Sequence, residues 1–376
     1  MLKTHGAWRG TRCLAGAIIT VVAVGLTLVV GPANAATVNA GTGPGGRSPN
    51  LVLDTAQDVF GRLGPSIAVQ RSGAWEIAFQ ANTGQLWVRT SDVLAGPIGG
   101  QPGHLMRAGT SPSIVAVPSG GYEIAYQASN SDLSTISPSG QPADLQLGMA
   151  AGTSPSIAVQ PSGAWQIAFQ ANTGRLWVRN SDGSGGPVGA GLGPAMMAGT
   201  SPSIVALPSG GYEIAYQASN GNLAIVAPPG PPADLALGMA AGTSPAIAVQ
   251  PSGAWQIAFQ ANTGELWVRN SDAGGGPVSD PLPHTMMAGT SPSTVALATG
   301  SYEIVYQTSD GLLGGVAPGG QVTSLGLGMW QGSSPSMAPV PTGGFQVALQ
   351  ANSGNLWTRY PNETAEDLGL GMPLTP

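Results

Sequence analysis

The sequence has one cysteine in 376 residues, Cys13, one lysine, Lys3, and only 8% charged residues. A lone cysteine this close to the N-terminus leaves the remainder of the chain without disulfides or Cys-ligated metal. The near absence of lysine, with an acidic formal net charge of −6, removes the electrostatic footprint that nucleic acid or anionic lipid requires. Long runs of Ala, Glu, Lys and Leu are missing too, which counts against a helical bundle, a coiled coil or a doubly wound α/β enzyme. What is abundant is glycine (58) and proline (33), the two strongest local structure breakers. Yet 42% of the residues are hydrophobic, which opposes the composition of a disordered chain and points to a fold of short strands and turns.

The N-terminus reads separately. Lys3, Arg9 and Arg12 precede an apolar run from Leu14 to Val30, followed by Pro32-Ala33-Asn34-Ala35. This is the n-region, h-region and A-x-A exit of a signal peptide over residues 1–35, with the cut expected between Ala35 and Ala36. An uncleaved anchor is the alternative, because the run approaches the length of a bilayer span. Residues 1–35 hold three of the 12 basic residues and none of the 18 acidic ones, so the mature chain stands at −9. The mature form is therefore expected to be exported and not membrane-spanning. Residues 36–49 read as a Gly-rich flexible leader.

Self-comparison decides the architecture. An anchor of Ser/Gly-Pro-Ser/Ala places its proline at Pro65, Pro112, Pro155, Pro202, Pro245, Pro292 and Pro335, at spacings that alternate between 47 and 43. A leucine follows each proline at an unvarying interval of 21 residues, from Leu86 to Leu356, and a methionine stands six residues before the next proline. Length variation is thus confined to one connection. In the third unit, Ser156–Gln160, Ala164–Gln170 and Arg175–Arg179 alternate as strands and are joined by Gly-containing turns. A fourth strand is expected around Asp-Leu-x-Leu-Gly-Met, as at Asp234–Met239. Four short strands in roughly 45 residues match a propeller blade. Seven copies predict an all-β, seven-bladed β-propeller of four-stranded blades over residues 50–376, with an open array or several small propellers as the alternative. Residues 50–64 could add a strand beside Asp367–Met372.

The copies are of two kinds. Units 1, 3 and 5 carry Trp75, Trp165 and Trp255 in the middle strand, then Trp87, Trp177 and Trp267. Units 2, 4 and 6 carry Tyr122, Tyr212 and Tyr302 followed by Glu123, Glu213 and Glu303, with Ser134, Ala224 and Gly314 in place of the second Trp. Unit 7 is a hybrid that keeps Trp357 but has Phe345 and the shorter final connection. The identity of Pro161–Gly174 and Pro251–Gly264 points to duplication of a two-blade segment of 90 residues.

The unit Ser-Pro-Ser-Ile-Ala-Val, a Gly turn, an aromatic-led strand, Asn-Thr-Gly-x-Leu-Trp and Leu-Gly-Met resembles the repeat of bacterial seven-bladed propeller lectins of the Photorhabdus lectin (PLL) type, and more loosely tachylectin and tectonin repeats. The resemblance covers about 65–376. It implies a seven-bladed ring with shallow monosaccharide sites in the clefts between blades, with fucose and methylated sugars among the ligands.

Sugar recognition without metal uses an apolar ring face for the C–H side of a pyranose and planar or charged groups for its hydroxyls. The candidate set is Trp87, Arg89, Gln80, Asn82 and Asp92; Trp177, Arg179, Gln170, Asn172 and Asp182; Trp267, Arg269, Gln260, Asn262 and Asp272; and Trp357 with Arg359, beside which Gln350 and Asn352 recur without the Asp. The competing reading makes the Trp residues inter-blade core and has Gln and Asn bonding the hairpin backbone. The four Arg could stack on Trp or pair with carboxylates. No nucleophile–base pair, metal-ligand cluster or phosphate loop stands out, and the acids mostly repeat with the blades, as do His104 and His284. The expectation is a secreted or cell-wall-associated, multivalent glycan-binding protein, a monomer or small homo-oligomer without cofactor or metal. A scaffold for protein partners and a polysaccharide-cleaving propeller are the alternatives.

Overall fold

The computed structural model describes residues 63–374 apart from 93–94, 99–103, 138–140, 190 and 279–284. The signal segment, the leader, His284 and all but the last two residues of the 50–64 stretch lie outside the described residues. Seven four-stranded antiparallel sheets follow one another along the chain, each with its strands in sequence order from the inside outward. In blade 3 these are Ser156–Val159, Trp165–Gln170, Leu176–Asn180 and Gly185–Pro187. Neighbouring blades touch along their inner strands, and the inner strand of blade 7, Ser336–Pro339, returns to that of blade 1, Ser66–Val69, so the ring closes. The predicted seven-bladed propeller is what the chain forms. Among the described residues no helix is long and apolar enough to cross a membrane.

Period two builds the blade. In the second strand of blade 3, Trp165, Ile167 and Phe169 face blade 2, where they meet Ala125, Leu133 and Met149; Ala168 on the opposite side packs with blade 4 residues Ile214 and Tyr216. Seven such apolar clusters, one per seam, make up the core. The Ala-Asn-Thr-Gly turn closes with Gly174 at φ 74°, a conformation that side-chain-bearing residues rarely adopt.

The recurring Met is a strap between blades. Met106 N–H donates to the Gly84 carbonyl of blade 1 at 2.9 Å while Arg107 N–H donates to the Gln127 carbonyl of blade 2 at 3.0 Å. The Met106 side chain is buried in the seam it crosses.

The Ser-Pro-Ser anchor has an equally physical basis. Its first serine forms one belt around the axis: Ser111 N–H donates to Ser154 Oγ (2.9 Å), Ser154 to Ser201 (2.9 Å), Ser201 to Ser244 (3.0 Å), Ser244 to Ser291 (3.0 Å) and Ser291 to Ser334 (3.0 Å). Gly64 N–H enters the belt at Ser111 Oγ, and Ser334 N–H ends it on the Leu63 carbonyl at 3.3 Å. The second serine forms a belt of opposite sense, in which Ile114, Ile157, Ile204 and Ile247 donate their N–H back to Ser66, Ser113, Ser156 and Ser203 of the blade before. Met337 donates likewise to Ser293 and Ile67 to Ser336. One rung is missing, because blade 5 has Ala246 where the others have Ser.

Blade 7 consists entirely of C-terminal strands, Ser336–Pro339, Phe345–Gln350, Asn355–Arg359 and Ala365–Gly371. Among the described residues its sheet has four strands and no N-terminal one, and the strand expected from residues 50–64 falls almost wholly outside them. The closing seam holds instead through the belts, an apolar cluster that includes Trp75, Phe79 and Met372, and the Asn82 N–H to Gly371 carbonyl bond at 3.1 Å.

Candidate functional site

The fourth strand separates two kinds of seam. Blades 2, 4, 6 and 7 end in long outer strands, Pro142–Gly148, Ala233–Gly238, Val322–Gly328 and Ala365–Gly371, and each abuts a blade that carries the second Trp. Blades 1, 3 and 5 end in three residues, Ala95–Pro97, Gly185–Pro187 and Gly275–Pro277, and abut Tyr blades.

At a Trp-type seam the indole is half-buried. Trp177 packs against Phe169 on its own sheet, ring centroids 6.3 Å apart and tilted by 54°, and shares a cluster with Leu145 and Leu147 from the outer strand of blade 2. Trp87 and Trp267 repeat this with Phe79 at 6.3 Å and Phe259 at 6.4 Å; Trp357 stands across from Leu349. The Nε1 atoms of Trp87 and Trp357 are buried without a partner, and that of Trp267 donates to Glu265 at 3.3 Å. The first Trp of each odd blade lies on the same face, with Trp75 buried at 7% exposure and Trp165 and Trp255 half-buried.

Asn82, Asn172, Asn262 and Asn352 share these seams. Asn172 N–H donates to the Gly148 carbonyl at 2.9 Å, and its amide side chain lies over the same glycine so closely that a Cβ there would stand 2.4 Å from Nδ2. This is why the Leu-Gly-Met motif carries Gly. The amide side chains themselves are exposed.

The Arg residues lie on the Trp face two positions on, but they close turns. Arg179 Nη1 donates to the Gly183 carbonyl and Arg269 Nη1 to the Ala273 carbonyl, with both Nε atoms buried and unpartnered. Arg89 donates to the Thr90 carbonyl at 3.0 Å and places its guanidinium carbon 5.8 Å from the Trp75 ring centroid. Arg359 is 8% exposed, with Glu363 at 4.0 Å. Asp182 accepts from Ser184 N–H (2.8 Å) and Oγ–H (2.6 Å), bonds that hold its carboxyl below the ordinary range; Asp272 accepts from Gly274 N–H at 2.8 Å and Asp92 from Thr90 Oγ.

The glutamines do not join this group. Gln170 is adjacent to Phe169 in the strand and so faces the opposite seam, where it is fully buried and donates to the Met197 carbonyl at 3.0 Å. Gln260 and Gln80 do the same toward Met287 (3.3 Å) and Arg107 (3.3 Å). Each sits on the strap to the next blade, with too little exposed surface to meet a ligand. Trp, Arg and Asn lie on one side of the same seam; Gln does not.

Sequence reasoning passed over the outer edge of the long strands. There Asp234 accepts from Asn220 (2.7 Å) and Asn222 (3.1 Å) and caps Ala236 N–H (2.8 Å), whose φ is 54°. Asp144 with Asn130 and Asp367 with Asn355 repeat the pairing. These carboxylate–amide pairs are exposed, and their signal is an Asn 12 or 14 residues before an Asp in the Asp-Leu-x-Leu motif. A cleft of about 280 Å³ lies in a Tyr-type seam, between blades 5 and 6, walled by Val268, Val278, Ile304 and Val316 with Tyr302 and Gln256 at its polar side. Among the described residues no three His, Asp or Glu side chains come together.

Fold and seams together define a seven-bladed propeller with repeated, half-buried aromatics between blades. Neither a described protein family nor a curated protein matches the sequence. Among solved structures, virginiamycin B lyase from Staphylococcus aureus is similar with a TM-score of 0.51 at 11% identity, covering 83% of this chain and 95% of its own. The fucose-specific lectin from Aleuria aurantia gives 0.51 at 14%, over 74% of this chain and 96% of its own. AofleA from Arthrobotrys oligospora gives 0.51 at 12%, over 83% and 88%. At such identities the likeness is one of fold. The comparisons give the propeller and include a fucose-specific lectin; they do not single out the Photorhabdus type.

Proposed function

We propose that the ring is an exported carbohydrate-binding protein that recognises glycans, fucosylated or methylated ones among them, at its Trp-type seams without metal. The observation that carries this reading is the fourfold recurrence of a half-buried Trp, with a guanidinium two residues on and an exposed Asn amide at the preceding turn, on one side of one seam. The exposed part of a half-buried indole suits the apolar side of a pyranose, and the amide and guanidinium suit its hydroxyls. Four such sites on a rigid ring gain avidity on a glycan surface without new contacts at any one site. A fucose-specific lectin and a lyase both stand among the similar structures, so the fold is compatible with this reading and at such identities neither goes beyond the fold. In this reading the protein binds and does not catalyse, since its acids recur with the blades instead of marking one centre.

A second reading, a scaffold for protein partners, is favoured by the packing of the same Trp residues on Phe and Leu. Glycan-array binding by the full chain, repeated with Trp177→Ala and Trp267→Ala alongside thermal melts, tests both. Weakened glycan binding with cooperative unfolding retained is expected. Absence of glycan binding by the unaltered protein, with loss of cooperative folding in the variants, would leave the scaffold.

A further inference from the structure

The seven hairpins that follow the inner strands gather on one face of the ring and form the mouth of its axis. Two cavities open there, of about 370 and 520 Å³. One is lined by blades 1 to 4 and the other by blade 1 and blades 4 to 7, and both include Val69, Arg71 and Pro208. They are therefore two lobes of one mouth, divided by Arg71 on one side and Pro208 on the other. A mouth of this size falls in the range of roughly 300–1,000 Å³ in which small-molecule ligands are held.

The walls carry a charge at one point of the sevenfold repeat. The hairpin position that holds Arg71 in blade 1 is Pro118, Pro161, Pro208, Pro251, Ala298 and Pro341 in the others. Around it stand Val69, Val117, Leu207, Leu297 and Val340. The polar side chains of the mouth besides Arg71 are engaged elsewhere: Gln70 Nε2 donates to Glu76 Oε1 at 2.6 Å, Gln160 to Gln166 at 3.3 Å, and Gln250 to the Gly300 carbonyl. Arg71 is exposed and makes no hydrogen bond or ion pair among the described residues, where Arg359 and Glu363 form the ion pair present.

We propose that this mouth binds one organic anion with an apolar body, its carboxylate held by Arg71. A guanidinium offers a planar, two-pronged donor that matches a carboxylate. Pro, Val and Leu cover the hydrocarbon. A polyhydroxylated ligand would find its hydroxyls without partners here, so the site is distinct in chemistry from the seams.

Titration of the full chain with octanoate by calorimetry, compared with octan-1-ol, tests the assignment. The expected result is one octanoate per chain, bound at least about tenfold more tightly than the alcohol because only the acid engages the cation. Arg71→Gln removes that advantage and Arg71→Lys restores part of it. Pro208→Glu, an exposed change that sets a carboxylate across the mouth, abolishes octanoate binding with the melting temperature retained. Absence of octanoate binding, several equivalent sites per chain, or an affinity unchanged in Arg71→Gln would overturn the proposal.

Discussion

A Trp-type and a Tyr-type seam bury equivalent backbone, yet they fill the volume between blades in opposite ways. In blade 3 the inner aromatic is Phe169 and its cross-strand neighbour is Trp177; in blade 6 the same two positions are Tyr306 and Gly314. Tyr306 is fully buried, and a Cβ on Gly314 would stand 2.8 Å from the Tyr306 ring. Blades 2 and 4 pair Tyr126 with Ser134 and Tyr216 with Ala224, again large with small. The even blades have thus not simply lost a Trp: the larger inner aromatic leaves no room for one, and the three-residue outer strand of the blade before offers no wall to cover it. Long outer strand, Phe and Trp travel together, as do short outer strand, Tyr and a small residue.

The severest way to break this comparison is to force one kind into the other. Gly314→Trp overpacks the seam between blades 5 and 6 and is expected to cost about 3 kcal/mol or more in chemical denaturation, with Gly314→Trp combined with Tyr306→Phe recovering part of the loss. Emptying a Trp-type seam is next: Trp177→Ala should cost about 2–3 kcal/mol, the lower end for aromatic truncation because the indole is half-buried, whereas Trp177→Phe should cost about 1 kcal/mol. A melt series on both variants checks the order.

Acid sharpens the comparison from the other side. Glu123 and Glu303, on Tyr blades, face the following Trp-type seams, and burial pushes each carboxyl from its ordinary 4.5 up to about 7. A carboxyl whose folded value is raised resists ionisation in the fold. Stability is therefore highest below pH 4.5 as far as these groups are concerned, and declines as pH rises through 7. With solvent screening of these partly exposed groups the loss is about 1 kcal/mol per site. Glu123→Gln with Glu303→Gln should flatten the pH dependence of the melting temperature between those limits; an unchanged slope would contradict the burial argument. The smallest expected effect is a gain. Ala246→Ser completes the second belt toward Thr294 N–H and should add about 0.5–1 kcal/mol, whereas Ser156→Ala removes the rung to Ile204 and loses a similar amount.

The blades were legible because anchors at fixed intervals report hairpins, and hairpins are local. The Trp, Asn and Arg positions were legible for the same reason. The glutamines were misassigned although period two already set Gln170 opposite to Phe169; proximity in sequence stood in for a shared face. The belts were beyond reach, since Ser111 and Ser154 are 43 residues apart and each looks like an ordinary turn serine until blades are placed side by side. The unpartnered Arg71 was passed over because a single departure from a repeat has meaning only once the repeat encircles an axis.

The hybrid seventh blade has a consequence for how such a ring can change in number. A module of two alternating blades tiles a circle without remainder only when the count is even. With seven, one blade must receive its neighbour as a Trp blade and deliver to the next with the long outer strand of a Tyr blade, which is what Trp357 and Ala365–Gly371 do. Gain or loss of one 90-residue pair keeps that remainder, whereas excision of blade 7 alone would leave a six-membered ring in which Gly328 of blade 6 meets Asn82 of blade 1, a junction the chain already makes between Gly328 and Asn352. The odd blade is the piece that sets the parity of the circle, and also the one whose removal leaves every remaining junction of a kind already present.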